Sequence, residues 1–281
     1  MALLTILLAL LVERFVEALE RVRRHHWLLP WSRWWRERFD PQRGDGAVGL
    51  LLVLAPPLLL VVVVGLLLSR VHDVLAFLFA LAVLVYAIGP VSLPRQITAW
   101  RAARLAGEQE AEQRCAAELL GSDVVDSDEP LDCVVARRIL VEAHARLLGP
   151  CLWFVVLGPF GALLYRLGCE MEQATRGGEG GFAGSARRLR AILDWPAARL
   201  SVIGYLLAGS YSGAMAAWRG YRGHWLEGSE ALVAAVGQGA LAPAEGGCSA
   251  SAAEEAHGLI VRSAVIWLVV LALLVLAGIA T

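Results

Sequence analysis

Apolar residues fall along this chain in blocks of membrane length rather than in the short alternations of a soluble fold. Two runs, 47–68 and 74–93, approach the roughly twenty residues that a helix needs to cross the hydrocarbon of a bilayer. Only Ser69-Arg70-Val71-His72-Asp73 separates them. They predict a transmembrane hairpin. Pro56-Pro57 would end most soluble helices, but at membrane depth freed carbonyls find partners on neighbouring helices, so the pattern predicts a kink within one element. Residues 263–280 carry almost no polar group and predict a final span. Residues 1–22 open apolar and continue with Leu11, Phe15, Ala18 and Val22 opposite Glu13, Glu17 and Glu20, the pattern of an inserted or interfacial helix. Glu13-Arg14 follows the apolar run at once and no basic stretch precedes it, which predicts a retained segment rather than a cleaved signal peptide.

Two further apolar segments, 147–167 and 192–218, predict broken or re-entrant membrane helices. Gly149-Pro150 and Gly158-Pro159-Phe160-Gly161 interrupt the first, and such breaks survive at membrane depth only beside protein or a water-filled cavity. Asp194 reads as a helix cap with Pro196 in the first turn, and as a partner for Arg199. Gly209, Gly213 and Ala217 recur every four residues and predict a smooth face for close helix packing. Residues 94–146 read as a cytoplasmic helical segment, with Ile97, Trp100 and Leu105 on one side of its first helix. Residues 226–241 read as a soluble amphipathic helix, and 243–253 as a linker. The fold class predicted is all-α: a polytopic integral membrane protein with cytoplasmic amphipathic helices, in a single domain over 1–281.

Composition agrees with this class, at 58% hydrophobic residues and a mean hydropathy of +0.60. The net charge of -1 hides an asymmetry: residues 14–43 carry eight Arg against four acids, and residues 95–138 carry six Arg against nine. The positive-inside rule places both segments in the cytoplasm and the 69–73 turn in the periplasm. Arg23-Arg24-His25-His26 with Trp27, Trp31, Trp34 and Trp35 reads as a headgroup-level belt, not a nucleic-acid patch, because it lies between two apolar segments. All 25 basic residues are Arg, which excludes a Walker-type P-loop, a Schiff-base lysine and a Ser-Lys dyad. The five cysteines form no CxxC pair and read as free thiols on apolar helix faces. The acidic run 123–129 reads as a solvated loop, with magnesium binding the alternative.

Charged groups at the ends of broken apolar segments are costly unless paired or hydrated. Glu13, Glu142, Arg146, Arg166, Asp194 and Arg199 are therefore expected to converge on one polar cavity at the cytoplasmic interface. The alternative is that Asp194 only caps its helix while the arginines snorkel separately to headgroups.

Several stretches resemble the AmpE family of integral inner-membrane proteins, regulatory modulators of beta-lactamase induction. The resemblance rests on Leu11-Val12-Glu13-Arg14-Phe15, on Leu152-Trp153-Phe154 leading to Gly158-Pro159-Phe160-Gly161-Ala162-Leu163-Leu164-Tyr165-Arg166, and on Leu193-Asp194-Trp195-Pro196-Ala197-Ala198-Arg199-Leu200. AmpE proteins are in turn similar to the CobD/CbiB membrane enzymes, which attach an aminopropanol-type arm to a vitamin B12 precursor. This chain has neither the Gly-Asp-Pro and His-Pro elements nor any lysine of those enzymes. The resemblance thus implies a regulatory modulator that kept the fold and lost or changed the B12 chemistry. The rival is an amide-forming enzyme, with magnesium on Glu13, Glu142 or Asp194 and phosphate on Arg146, Arg166 or Arg199. A third reading is a small-molecule transporter. The expected partners are membrane lipid, a small anionic or phosphate-bearing ligand and a signalling protein, and no cofactor is assigned outside the enzyme reading.

Overall fold

A computed structural model describes residues 2–15, 30, 31, 34, 46–88, 93–120, 130–178, 180–223, 228–241 and 251–277. Trp27, Trp35, the acidic run 123–129, Glu227 and most of the 243–253 linker lie outside the described residues. Every regular element among those described is helical. In chain order they are α1 (Ala2–Phe15), α2 (Ala47–Val71), α3 (Asp73–Ala87), α4 (Leu93–Leu105), α5 (Gln109–Leu120), α6 (Leu131–Ala143), a π-turn (His144–Leu148), α7 (Gly149–Ala174), α8 (Gly181–Ala208), α9 (Tyr211–Gly220), α10 (Ser229–Leu241) and α11 (Ala252–Leu276). Four stretches are long and apolar enough to cross a membrane: Ala47–Val71, Leu131–Ala174, Gly181–Ala208 and Ala252–Leu276. The protein is an all-α, polytopic membrane protein.

The chain divides into two compact units and passes between them more than once. The first comprises Met1–Pro90, Gly149–Pro196 and Leu274–Thr281; the second comprises Val91–Leu148 and Ala197–Leu273.

In the first unit α3 packs against α1, α2 and α7, and Leu50, Val53, Leu54, Val83, Leu163 and Leu167 form its core. The hairpin turn is shorter than expected. His72 alone breaks the helix, in extended backbone, and its Nδ1 accepts the Val74 N–H. α2 runs unbroken through Pro56 and Pro57. Proline lacks the N–H that a residue four positions earlier needs, so Pro57 orphans the carbonyl of Val53. Trp31 Nε1 donates to that carbonyl at 3.1 Å. α7 does break, because Gly158 takes φ 65° and ψ −152° ahead of Pro159, a conformation that glycine alone adopts without strain.

The second unit gathers α4, α5, α6, α9, α10, the end of α8 and most of α11 around Ile139, Leu140, Val202, Tyr205, Val233 and Leu259. Ile97 and Trp100 are buried there, but Leu105 is exposed, so the three do not share a face. Stretch 226–241 also differs from expectation. Its helix starts at Ser229 and only Ala231 is exposed, because α10 packs against both α9 and α6. Cys115, Cys151 and Cys169 are free thiols. Cys133 is disulfide-bonded, which corrects the reading of free cysteines throughout.

Candidate functional site

Each unit holds a set of buried charges. In the second, Arg138, Glu142 and Arg146 follow one another at four-residue spacing, which lines them along one face of a helix. Glu142 is 8% exposed. Its Oε1 pairs with Arg138 Nη2 at 2.7 Å, and its Oε2 pairs with Arg146 Nε. The backbone loosens here into the π-turn, one residue before Gly149-Pro150. Pro150 supplies no N–H to the carbonyl of Arg146, and single π-turns inside helices recur at functional sites. Tyr205 Oη donates to the Leu140 carbonyl at 3.2 Å, and His144 Nδ1 lies 2.9 Å from Ser201 Oγ. Those contacts tie the π-turn to the second half of α8. Further along, Arg199 Nη1 donates to Ser229 Oγ at 3.5 Å.

The first unit holds a more deeply buried group. Asp194, 2% exposed, accepts the Tyr165 hydroxyl at 2.7 Å and pairs with Arg190 Nη2 at 3.4 Å. The Arg190 guanidinium also donates to Cys169 Sγ and stands over the Tyr165 ring, 5.2 Å from its centroid. Two helices are thereby joined, since Tyr165 and Cys169 lie on α7 and Arg190 and Asp194 lie on α8. Trp153 Nε1 adds a bond to the Leu193 carbonyl at 2.9 Å. Gly149 is required beneath Tyr165, because a Cβ there would meet the phenol ring. Arg166, one residue from this group, turns instead to Glu170 on its own helix at 2.7 Å.

A profile of the family described as "Regulatory signalling modulator protein AmpE" matches residues 1–280. The chain belongs to the AmpE family. It is also 28% identical over 222 residues to a protein of Chromobacterium violaceum named "Cobalamin biosynthesis protein CobD". That match covers 76% of this AmpE chain and 66% of the relative, so the chain spans less than two thirds of the relative's length. No solved structure matches the chain.

The six charged residues singled out in this AmpE sequence fall three to a unit. Glu142, Arg146 and Arg199 lie in the second; Glu13, Arg166 and Asp194 lie in the first, with the Glu13 side chain outside the described residues. Asp194 is not a helix cap. α8 begins thirteen residues earlier, at Gly181, and carries both Asp194 and Pro196 inside it. The ion pair described for Asp194 is with Arg190, one helical turn back. Gly209, Gly213 and Ala217 do not share one helix, since α8 stops at Ala208 and Ser210 caps α9. All three nevertheless sit at tight approaches. A Cβ on Gly209 would lie 2.8 Å from the Ala240 carbonyl oxygen, and one on Gly239 would lie 2.6 Å from the Gly213 carbonyl oxygen and 2.9 Å from Ala217 Cβ.

Sequence reasoning passed over Tyr165, Cys169, Arg190, Arg138, Ser201 and Tyr205 as site residues. Arg138 and Arg190 had a signal: each stands four residues before a carboxylate that was chosen. Tyr165, Cys169, Ser201 and Tyr205 had none, because their partners come from distant parts of the chain.

Proposed function

We infer that this chain is a regulatory modulator of the bacterial inner membrane that couples the state of the cell wall to beta-lactamase induction, without B12-type catalysis. The observation that supports this most is the commitment of its buried carboxylates. Glu142 gives both oxygens to arginines, and Asp194 gives Oδ1 to Tyr165 and Arg190. Carboxylates held in this way fix helix geometry; they are poorly disposed to coordinate magnesium, which needs near-octahedral oxygen ligation. A small anionic ligand or a signalling partner fits the Arg138–Glu142–Arg146 row, which carries a net positive charge beside a π-turn.

The test is complementation. A strain lacking the gene is supplied with wild type, Glu142→Gln or Arg199→Ala, and beta-lactamase activity is measured after exposure to an inducing beta-lactam. The expected result is altered induction in the deleted strain, restoration by wild type, and failure of both variants at wild-type abundance in the membrane. Unchanged induction in the deleted strain overturns the reading.

The CobD relative favours a second reading, an amide-forming synthase on a phosphate-bearing amine. Amide product formed by the purified protein from a corrinoid acid and such an amine, lost in Glu142→Gln, would establish it over the first.

A further inference from the structure

A groove of about 680 Å³ lies in the second unit, where α8 ends, α9 begins, α10 ends and α11 begins. None of the residues discussed so far as charged site residues lines it. Apart from Leu241 its walls are small or polar, with Gly209, Ser210 and Ala240 on one side and Glu255, Gly258 and Arg262 of α11 on the other.

The charges in the groove are arranged by sign. Glu254 and Glu255 occupy the first turn of α11; the groove holds two helix ends and two helix starts, whose partial charges oppose each other, and the Ala240 carbonyl already accepts the Ser210 N–H at 2.8 Å, so the carboxylates set the sign there. Glu254 is paired with Arg101 at 2.8 Å. Glu255 Oε1 accepts the Ser251 hydroxyl at 2.6 Å, and among the described residues its second oxygen has no partner. Arg262 follows Glu255 by seven residues, on the same side of the helix. Between them is Gly258, whose missing side chain leaves a notch: the nearest atom to a Cβ built there is Arg262 Nη1, at 4.0 Å. The guanidinium therefore leans back one turn, as helical side chains do, and stands over the notch facing the acids. Among the described residues it has no ion pair or hydrogen bond. A ligand that fits this arrangement carries an ammonium at one end and an anion one short spacer away.

Below the groove, α11 continues as an exposed apolar ridge. Val261, Val265, Val269 and Leu273, each one turn further, are 48%, 52%, 53% and 60% exposed, and α11 is one of the four helices long enough to span a membrane. Leu207, next to Ala208 in the opposite wall, is 62% exposed. A soluble zwitterion would make no use of such a ridge, whereas an acyl chain covers it. We propose that the groove seats the headgroup of an amine-bearing phospholipid of the phosphatidylethanolamine type, with its phosphate on Arg262, its ammonium on Glu255, and an acyl chain along Val265 and Val269. The arginine lies nearer the membrane centre along α11 and the acids nearer water, which matches the order of phosphate and ammonium in such a lipid.

The full-length protein in detergent is titrated with phosphatidylethanolamine, phosphatidylcholine and phosphatidylglycerol, and binding is read by native mass spectrometry and by the rise in unfolding temperature. Phosphatidylethanolamine binds most tightly, because the methylated amine of phosphatidylcholine donates no hydrogen bond and phosphatidylglycerol has no cation for Glu255. Arg262→Gln and Glu255→Gln each weaken it about tenfold or more, the usual consequence of losing a charge-assisted hydrogen bond. Gly258→Leu fills the notch where nothing but the guanidinium stands within 4 Å; it abolishes the preference while the unfolding temperature without lipid stays at the wild-type value. Soluble phosphoethanolamine does not compete at concentrations where the lipid is bound. Equal binding of the three lipids, an undiminished preference in both Arg262→Gln and Gly258→Leu, or equal competition by soluble phosphoethanolamine overturns the proposal.

Discussion

Asp194→Asn isolates the contribution of one buried charge. The asparagine still offers Tyr165 an acceptor in place of the carboxylate oxygen now 2.7 Å away, so the neutral contact survives. Arg190 loses its anion. Its side chain is 9% exposed and that of Asp194 is 3% exposed, and an arginine cannot shed its proton to escape the penalty. Removing one partner of a buried ion pair costs about 3–5 kcal/mol. The Tyr165 ring, 5.2 Å from the guanidinium carbon, attracts the cation in wild type and variant alike, so the expected loss stays at about 3–5 kcal/mol. That is a large share of the roughly 5–15 kcal/mol by which domains are stable. Replacing both partners, as in Arg190→Met with Asp194→Asn, removes both charges while the asparagine still accepts from Tyr165, and is expected to be near neutral. The assay is thermal unfolding of the detergent-solubilised protein, followed by tryptophan fluorescence, together with the yield in the membrane. The expected order is wild type and the double variant close together, with Asp194→Asn several degrees lower. Asp194→Asn unfolding at the wild-type temperature, or a double variant worse than the single, refutes the reasoning.

Gly239→Leu is expected to collapse membrane yield, because a Cβ there already meets the Gly213 carbonyl at 2.6 Å, whereas Gly184→Leu on α8 meets nothing within 4 Å and should express like wild type. Trp31→Phe leaves the Val53 carbonyl unmet in α2 and should cost about 1–3 kcal/mol in the same unfolding assay; an unchanged unfolding temperature would show that the carbonyl freed by Pro57 needs no partner. A His72→Cys probe on a background without the free cysteines should react with an impermeant thiol reagent in intact cells, as the charge asymmetry across the hairpin requires. Labelling only after permeabilisation would invert that topology.

Much of the architecture was legible because membrane helices announce themselves by length and apolarity, and those two properties located α2 and α11 directly. Breaks were less legible, since proline and glycine have different consequences in different surroundings. Pro56-Pro57 leaves α2 continuous, because Trp31 reaches the freed carbonyl; Gly158-Pro159 breaks α7, because the glycine leaves the helical region altogether. Asp194 ahead of Pro196 has the local signature of a helix start, and the tertiary structure overrides it by carrying α8 through both residues. Gly209-Ser210 was the reverse case. A glycine followed by a capping serine is a stop and a start, yet the four-residue spacing of Gly209, Gly213 and Ala217 masked it as a single packing face. The charged residues were found, and the partners that define their local geometry were found only where they stood four residues away.

That last regularity has a physical basis. Within the long apolar stretches, Arg138–Glu142–Arg146, Arg166–Glu170 and Arg190–Asp194 are all paired at four-residue spacing along their own stretch. An arginine enters a membrane charged, and its cost falls if a carboxylate one turn away accompanies it before any other helix has docked. Local pairing therefore makes each segment tolerable by itself, and uncharged donors then add bonds between segments, Tyr165 to Asp194, Trp153 to the Leu193 carbonyl, Tyr205 to the Leu140 carbonyl and Trp31 to the Val53 carbonyl, beside those that Arg190 and Arg199 donate to Cys169 and Ser229. Arg199, with Trp195 and Ile203 at that spacing, departs from the scheme and turns to Ser229, and Arg262 departs from it too. Its positions four residues away are Gly258 and Ile266, so its helix supplies no carboxylate at the spacing that serves the others. A cation placed in the same kind of helix without the local anion must be met from outside it, and the groove over Gly258 is where a phosphate can do so.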